Sequence, residues 1–126
     1  MVAERRRRVA PLLLWSLCVV VASAATPPGD GLSAAPLGLG VDKWVHLGAY
    51  AVTAYLAAFA LRARTARGLA LATFVAVALG GGVELLQATL PARHAGLADA
   101  AANAVGAVIG AAAYAVLGRF RTSERG

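Results

Sequence analysis

Charged side chains are scarce in this sequence. They make up only 14% of the 126 residues, whereas 60% are hydrophobic and the mean hydropathy is +0.70. A soluble domain usually carries about 25% charged residues, and a chain with so few charges cannot cover a water-facing exterior. The composition therefore argues against an ordinary soluble domain and predicts an integral membrane protein, with the length of one domain.

Cysteine and serine are also rare. The single cysteine, Cys18, lies inside an apolar run, so it can form no internal disulfide and is interpreted as a small apolar side chain. The serines fall in the first apolar run, in the loop after it and in the tail. The sequence shows no nucleophile beside a base, no phosphate-binding loop and no dinucleotide motif, and no cofactor is predicted.

Long apolar runs fill most of the chain. Four of them, at 9–25, 44–61, 68–90 and 99–117, approach the roughly 20 residues that a helix needs to cross a bilayer. We therefore predict an all-α, polytopic membrane protein, a four-transmembrane-helix bundle. Its segments are a basic N-terminus at 1–8, helix one at 9–25, an extracytoplasmic loop rich in proline and glycine at 26–43, a core of three helices at 44–117 and a tail at 118–126.

The first apolar run has a second interpretation. Four arginines precede it, and Ala22 and Ala24 near its end form the A-x-A pattern of a signal-peptide cleavage site. Cleavage there would leave three spans in an unchanged orientation. Retention as a first helix and cleavage as a signal peptide both stay open.

The basic residues predict how the chain crosses the membrane. With the N-terminus in the cytoplasm, all of the 12 lysines and arginines except Lys43 and Arg93 lie on the cytoplasmic side, as the positive-inside rule requires. We predict a multi-pass protein of the cell membrane with both termini cytoplasmic. Because the basic residues lie at the ends of apolar runs and not along one exposed face, no nucleic-acid partner is expected.

Polar side chains with catalytic or binding chemistry lie at the outer ends of three runs. They are Asp42, Lys43, His46 and Tyr50 in helix two, Glu84 and Gln87 in helix three, Asp99 and Asn103 in helix four, and Arg93 in the loop before helix four. Spacings of three or four residues place the following on one face of each helix: Asp42, His46 and Tyr50 in helix two, Glu84 and Gln87 in helix three, and Asp99 and Asn103 in helix four. A carboxylate inside the membrane costs at least about 2.5–3.5 kcal/mol at a helix centre, so Glu84 should point inward. Its candidate partners are His46, Lys43 and Arg93.

These residues are assigned hypothetical roles by position. His46 and Glu84 lie inside their spans and are not needed for capping, so they are the candidate catalytic acid and base. Candidate substrate-binding residues are Lys43, Tyr50, Gln87 and Arg93, of which the two cations would hold an anionic group such as a lipid phosphate. Metal ligation by His46, Glu84 and Asp99 has only generic spacing, so no metal is predicted.

A further set is predicted to support the site. Asp42 and Asp99 could cap their helices, and Asn103 could form an interhelical hydrogen bond. Gly106 and Gly110 form a Gly-x-x-x-Gly motif, which lets neighbouring helices approach closely.

Three of these stretches together resemble the VanZ-like family of small membrane proteins. They are "DKWVHLGAY", "GGGVELLQATLPAR" and "LADAAANAVGAVIG". The family's pattern is Asp-Lys-x-x-His-x-x-x-Tyr, then Glu-x-x-Gln with a following arginine, then Asp-x-x-x-Asn-x-x-Gly-x-x-x-Gly, and every position is matched here. The resemblance covers 42–117 and implies a helical membrane protein. The family's named member is linked to low-level resistance to the glycopeptide teicoplanin, without remodelling of the cell-wall precursor.

Three functions remain open at this stage. The residues would suit an outer-face enzyme acting on a lipid-linked envelope substrate, or a non-catalytic protein that binds a membrane lipid headgroup or an amphiphile. They would also suit a purely structural staple between helices two, three and four. The oligomeric state is not predicted.

Overall fold

The computed structural model describes residues 1–25, 40–90 and 96–123, with side chains described as far as residue 120. These residues form four α-helices: α1 (Val2–Ala25), α2 (Val41–Leu61), α3 (Ala66–Ala88) and α4 (Leu97–Ser123). Within the described ranges there is no strand. All four helices are long and apolar enough to cross a membrane, which confirms the predicted all-α, four-helix architecture.

The helices extend beyond the apolar runs at the ends that carry arginines. α1 begins at Val2 and not at residue 9, so the basic segment expected at 1–8 is part of the helix. Glu4 favours this extension, because it pairs with Arg8 one turn later and with Arg62 of α2. α4 similarly continues to Ser123, beyond the run that ends at residue 117.

The starts of the helices differ from the predicted capping. The N-cap of α2 is Gly40, which makes no side-chain capping hydrogen bond, and α3 begins after Thr65, whose hydroxyl accepts from the Gly68 N–H at 3.2 Å. Asp42 therefore does not cap α2. Asp42 and Asp99 lie instead in the first turns of α2 and α4, where a carboxylate interacts favourably with the helix dipole.

The helices alternate in direction, so that α2 and α4 run parallel. α4 packs most extensively on α2 and also contacts α3, while α1 packs against α2 and α3 on the other side. Within the described part of the chain α1 and α4 do not touch. The bundle thus has two ends. We call the one at the starts of α2 and α4 the polar end, and the opposite one the arginine end.

The cationic side chains separate between these two ends. Those described at the arginine end are Arg5 to Arg8, Arg62, Arg64, Arg67 and Arg119, and Lys43 lies at the polar end. The predicted loop up to residue 39, Arg93 and Arg125 fall outside the described residues. Alternating helix direction thus gathers the arginines of separate sequence segments at one end.

The interface between α2 and α4 depends on two glycines. A Cβ at Gly106 would collide with the backbone carbonyl of Leu47, and a Cβ at Gly110 with that of Ala51. The side chains buried nearby are mostly alanines, including Ala54 and Ala107. The two helices therefore meet backbone to backbone, as the Gly-x-x-x-Gly motif predicts.

The first helix is held by hydrogen bonds as well as by apolar packing. The Trp15 indole N–H points at the Ala49 carbonyl and the Thr53 hydroxyl, both at 3.2 Å, and that hydroxyl donates to the same carbonyl at 2.9 Å. Near the other end of α1, the Gln87 amide donates to the Ser23 carbonyl at 3.2 Å. α1 is thus fastened to both α2 and α3.

Alanine at Gly106 or Gly110 should destabilise the bundle. Each added methyl meets main-chain atoms that cannot rotate away, so α2 and α4 must separate, at a cost of about 1–3 kcal/mol. The measurement is reversible unfolding of the purified protein in mixed detergent micelles.

Gly48 of α2 provides the matched control, because a Cβ there meets no atom within 4 Å. Gly48→Ala should leave the free energy of unfolding unchanged or raise it slightly. Equal losses at Gly48 and Gly106 would contradict the close α2–α4 contact.

Candidate functional site

Three helices meet around Gly80 at the polar end. A Cβ at this glycine of α3 would lie 3.0 Å from the Asn103 Nδ2 atom of α4 and 3.2 Å from the Tyr50 Cε1 atom of α2. Tyr50 is 1% exposed and Asn103 is 3% exposed. The absence of a side chain at Gly80 therefore lets polar groups from two other helices approach α3.

His46 joins this centre through Asn103. Its Nδ1 atom lies 3.0 Å from Asn103 Oδ1, and its ring stacks on Tyr50 one turn further along α2, with centroids 6.3 Å apart. An amide oxygen can only accept, so Nδ1 donates in this contact, and in the neutral ring Nε2 is then an acceptor. The contact thus selects one tautomer of His46 and connects α2 to α4.

Glu84 completes the group that we call the polar cluster: His46, Tyr50, Glu84 and Asn103. It lies one turn beyond Gly80 on the same face of α3 and is only 8% exposed. It therefore points inward, as predicted. Its expected partner is not seen, because neither carboxylate oxygen has a hydrogen-bond partner among the described residues, and neither does the Tyr50 hydroxyl.

Lys43 is engaged elsewhere than predicted. Its ammonium group pairs with Asp42 beside it and lies 2.5 Å from the Asp99 Oδ1 atom of α4. It is therefore not paired with Glu84. It is also less available to hold an anionic ligand than a solvated lysine would be, because two carboxylates already face its charge. This ion triad forms a second link between α2 and α4, about one turn beyond His46.

The remaining candidate residues lie outside the polar cluster and contact different helices. Gln87, buried on the same face of α3 as Glu84, uses one amide hydrogen for the Ser23 carbonyl of α1. Gly106 and Gly110 lie at the α2–α4 contact below the polar cluster. Arg93 falls outside the described residues, so its predicted role stays a prediction.

The polar cluster offers mainly hydrogen-bond acceptors. An ionised Glu84 only accepts, His46 Nε2 accepts, and the Tyr50 hydroxyl can donate or accept. In the described part of the chain, no three His, Cys, Asp or Glu side chains lie close enough together to hold a metal ion. The arrangement suits a ligand that donates hydrogen bonds, and a base at His46 could take a proton from it.

Sequence reasoning missed two features of this region. One is the ion triad, for which the opposite charges in the first turns of α2 and α4 were the available signal. The other is the bond from Trp15 to Thr53, signalled only by a tryptophan amid an apolar run and a threonine on the face that carries His46 and Tyr50.

Comparisons with known proteins add no assignment. No protein-family model matches the chain, and no match was found among curated proteins or solved structures. The residues of the site must therefore carry the functional argument.

The His46–Asn103 contact should appear as a coupling free energy. In a double-mutant cycle of His46→Ala and Asn103→Ala, we expect about 0.5–1.5 kcal/mol of interaction in the free energy of unfolding, the range for interhelical hydrogen bonds in membranes. Unfolding in mixed micelles supplies the four values.

His46→Ala combined with Thr73→Ala is the control cycle, because Thr73 bonds its own helix at the Leu69 carbonyl. That pair should be additive. Coupling no larger for Asn103 than for Thr73 would contradict the contact.

Proposed function

We propose that this protein is a VanZ-like integral membrane protein whose polar cluster binds the headgroup of a cell-envelope lipid or glycoconjugate. In this proposal it lies in the cell membrane with the arginine end, and hence both termini, in the cytoplasm, because positive residues are retained there during insertion. The polar cluster then lies just inside the outer leaflet, within reach of headgroups on the extracytoplasmic side.

The observation that carries the proposal is the buried, unpartnered pair Glu84 and Tyr50. A buried polar group without a hydrogen bond costs about 1–3 kcal/mol, so a bundle optimised only for stability would not keep two of them. A ligand that donates hydrogen bonds to the carboxylate and bonds the phenol would remove that cost. The unpartnered groups thus support a binding role over a purely structural one.

The charges favour a particular class of headgroup. An ionised Glu84 would repel a phosphate, and Lys43, which was expected to hold an anion, already faces Asp42 and Asp99. A hydroxyl or ammonium group would instead donate a hydrogen bond to the Glu84 carboxylate. Sugar hydroxyls and amines of envelope glycoconjugates offer these donors, and a link to teicoplanin resistance, implied by the resemblance, is part of the same proposal.

Catalysis is a second candidate, supported by the tautomer of His46. With its Nδ1 proton committed to Asn103 Oδ1, His46 could accept a proton at Nε2 from a bound hydroxyl and so assist hydrolysis or group transfer on a lipid-linked substrate. A binding protein should tolerate His46→Gln, whereas an enzyme should lose turnover of that substrate while still binding it.

Stability separates a binding site from a structural staple. Glu84→Leu removes an unpartnered carboxylate, so the free energy of unfolding should stay equal or rise by up to roughly 1–3 kcal/mol. The matched control is Gln87→Leu on the same face of α3, which strands the Ser23 carbonyl and should cost about 0.5–1.5 kcal/mol. A clear loss of stability in Glu84→Leu would favour the staple.

The binding function has its own measurement. Native mass spectrometry of the protein extracted from its membrane should find a hydroxyl- or amine-bearing envelope lipid retained by the unsubstituted chain and lost from Glu84→Leu and Tyr50→Phe. Expression in a teicoplanin-susceptible bacterium should raise teicoplanin tolerance only for the unsubstituted chain. A Glu84→Leu variant that keeps both the bound lipid and the tolerance would refute the proposal.

A further inference from the structure

A cavity opens at the arginine end, far from the polar cluster. It has a volume of about 370 Å³ and lies between the start of α1 and the end of α2. Its lining residues are Met1, Val2, Glu4, Arg5, Arg8, Ala60 and Arg62. Nothing in the proposed function of the polar end makes use of it.

The lining of this cavity is strongly cationic. Three guanidinium groups face one carboxylate, that of Glu4. A single Glu4 oxygen, Oε1, pairs with Arg8 and with Arg62, the latter at 2.5 Å. Arg5 makes no ion pair within the described ranges. The cavity therefore keeps an excess of positive charge after its internal ion pairs are counted.

Glu4 also organises the cations that it pairs with. By holding Arg8 of α1 and Arg62 of α2 on one oxygen atom, it fixes two guanidinium groups from different helices beside the same opening. Guanidinium groups bind phosphate through paired N–H donors in a planar fork. Arg5 and Arg8, three residues apart, lie on one face of α1, so a phosphate in the cavity would meet donors from both helices.

The position of the cavity indicates which kind of molecule would bear such a phosphate. Ala60 lies on the membrane side of Arg62 and gives the lining an apolar surface, whereas Val2, which is 69% exposed, lies on the outer side of the arginines. Basic pockets between spanning helices bind phospholipid headgroups in membrane proteins, and this cavity is lined by residues of two such helices.

We propose that this cavity binds a phosphate group, carried by a phospholipid of the adjoining leaflet. Arg5, Arg8 and Arg62 contact the phosphate oxygens, and Ala60, which lies on the membrane side of Arg62, contacts the glycerol end of the lipid. The neighbouring Arg6 and Arg7 belong to the same arginine run but do not line the cavity. They contribute only general surface charge.

The test compares the substitution of an arginine that lines the cavity with the substitution of one that does not, so that both variants lose the same charge. The full chain is purified in an uncharged maltoside detergent at constant ionic strength and titrated with dioctanoyl phosphatidylglycerol, with the thermal unfolding midpoint as readout. The unfolding midpoint of the unsubstituted chain should rise with lipid concentration and then level off as the site is saturated. Dioctanoylglycerol, which lacks the phosphate, should give no such shift.

Arg5→Gln should raise the half-saturating concentration about fivefold, as expected for one arginine at a membrane surface. Arg7→Gln should change it less than twofold, and Arg5→Lys, which keeps the charge, should fall between them. Without lipid, all three variants should unfold at the temperature of the unsubstituted chain, because neither arginine forms a described ion pair.

Inorganic phosphate identifies the source of the ligand. Stabilisation by the lipid alone supports a headgroup site, and an equal shift with inorganic phosphate supports a site for soluble phosphate esters with the same chemistry. Equal weakening by Arg5→Gln and Arg7→Gln would show that only diffuse charge acts, and would overturn the proposal. So would the absence of any shift with either probe. The outcome does not depend on the polar cluster, because no residue of the polar end is changed.

Discussion

The backbone contact between α2 and α4 determines the arrangement of the polar end. Gly106 lies against Leu47 and Gly110 against Ala51. These contacts, at two successive turns, fix the position of one parallel helix along the other, that is, their register. The same register continues toward the polar end, where it brings Asn103 to His46 and Asp99 to Lys43. The side chains of Asn103 and Asp99 are short, so they reach their partners on α2 because the backbones are already close.

Buried polar groups in this bundle fall into two classes. Thr53 and Gln87 have partners on neighbouring segments and fasten α1 to α2 and α3. Glu84 and Tyr50 are equally buried but have no partner among the described residues. The first class contributes to stability, whereas the second costs stability in the free protein. Such a cost is expected where a site is kept open for a ligand rather than filled by the protein itself.

Composition and spacing were sufficient to predict the architecture. Apolar runs of membrane length identified four helices, and the i, i+4 spacing from Gly106 to Gly110 predicted a close helix contact. The inward placement of Glu84 followed from the cost of exposing a carboxylate to lipid. Each of these inferences succeeds because it uses only the length, the faces and the charges of a single helix.

Pairing between helices could not be predicted in the same way. Lys43 had Glu84, Asp42 and Asp99 as plausible partners on charge alone, and the α2–α4 register decided the choice. The partner of Lys43 depends on the relative position of two helices, which the spacing within one helix does not contain. Helix ends were also misjudged at the arginine end, where α1 begins before its apolar run and α4 continues beyond its own. For α1, the i, i+4 pair of Glu4 and Arg8 could be inferred from spacing, and only the contact with Arg62 could not.

The two ends of the bundle therefore offer opposite chemistry to the two leaflets. At the polar end, the described charges are three carboxylates and one ammonium group, and the ammonium is already paired. At the arginine end, the one described carboxylate, that of Glu4, is shared by two guanidinium groups. One headgroup chemistry cannot satisfy both ends, since the polar end accepts hydrogen bonds and the arginine end donates them. If both proposals hold, the bundle binds a phospholipid at one surface and a hydroxyl- or amine-bearing headgroup at the other.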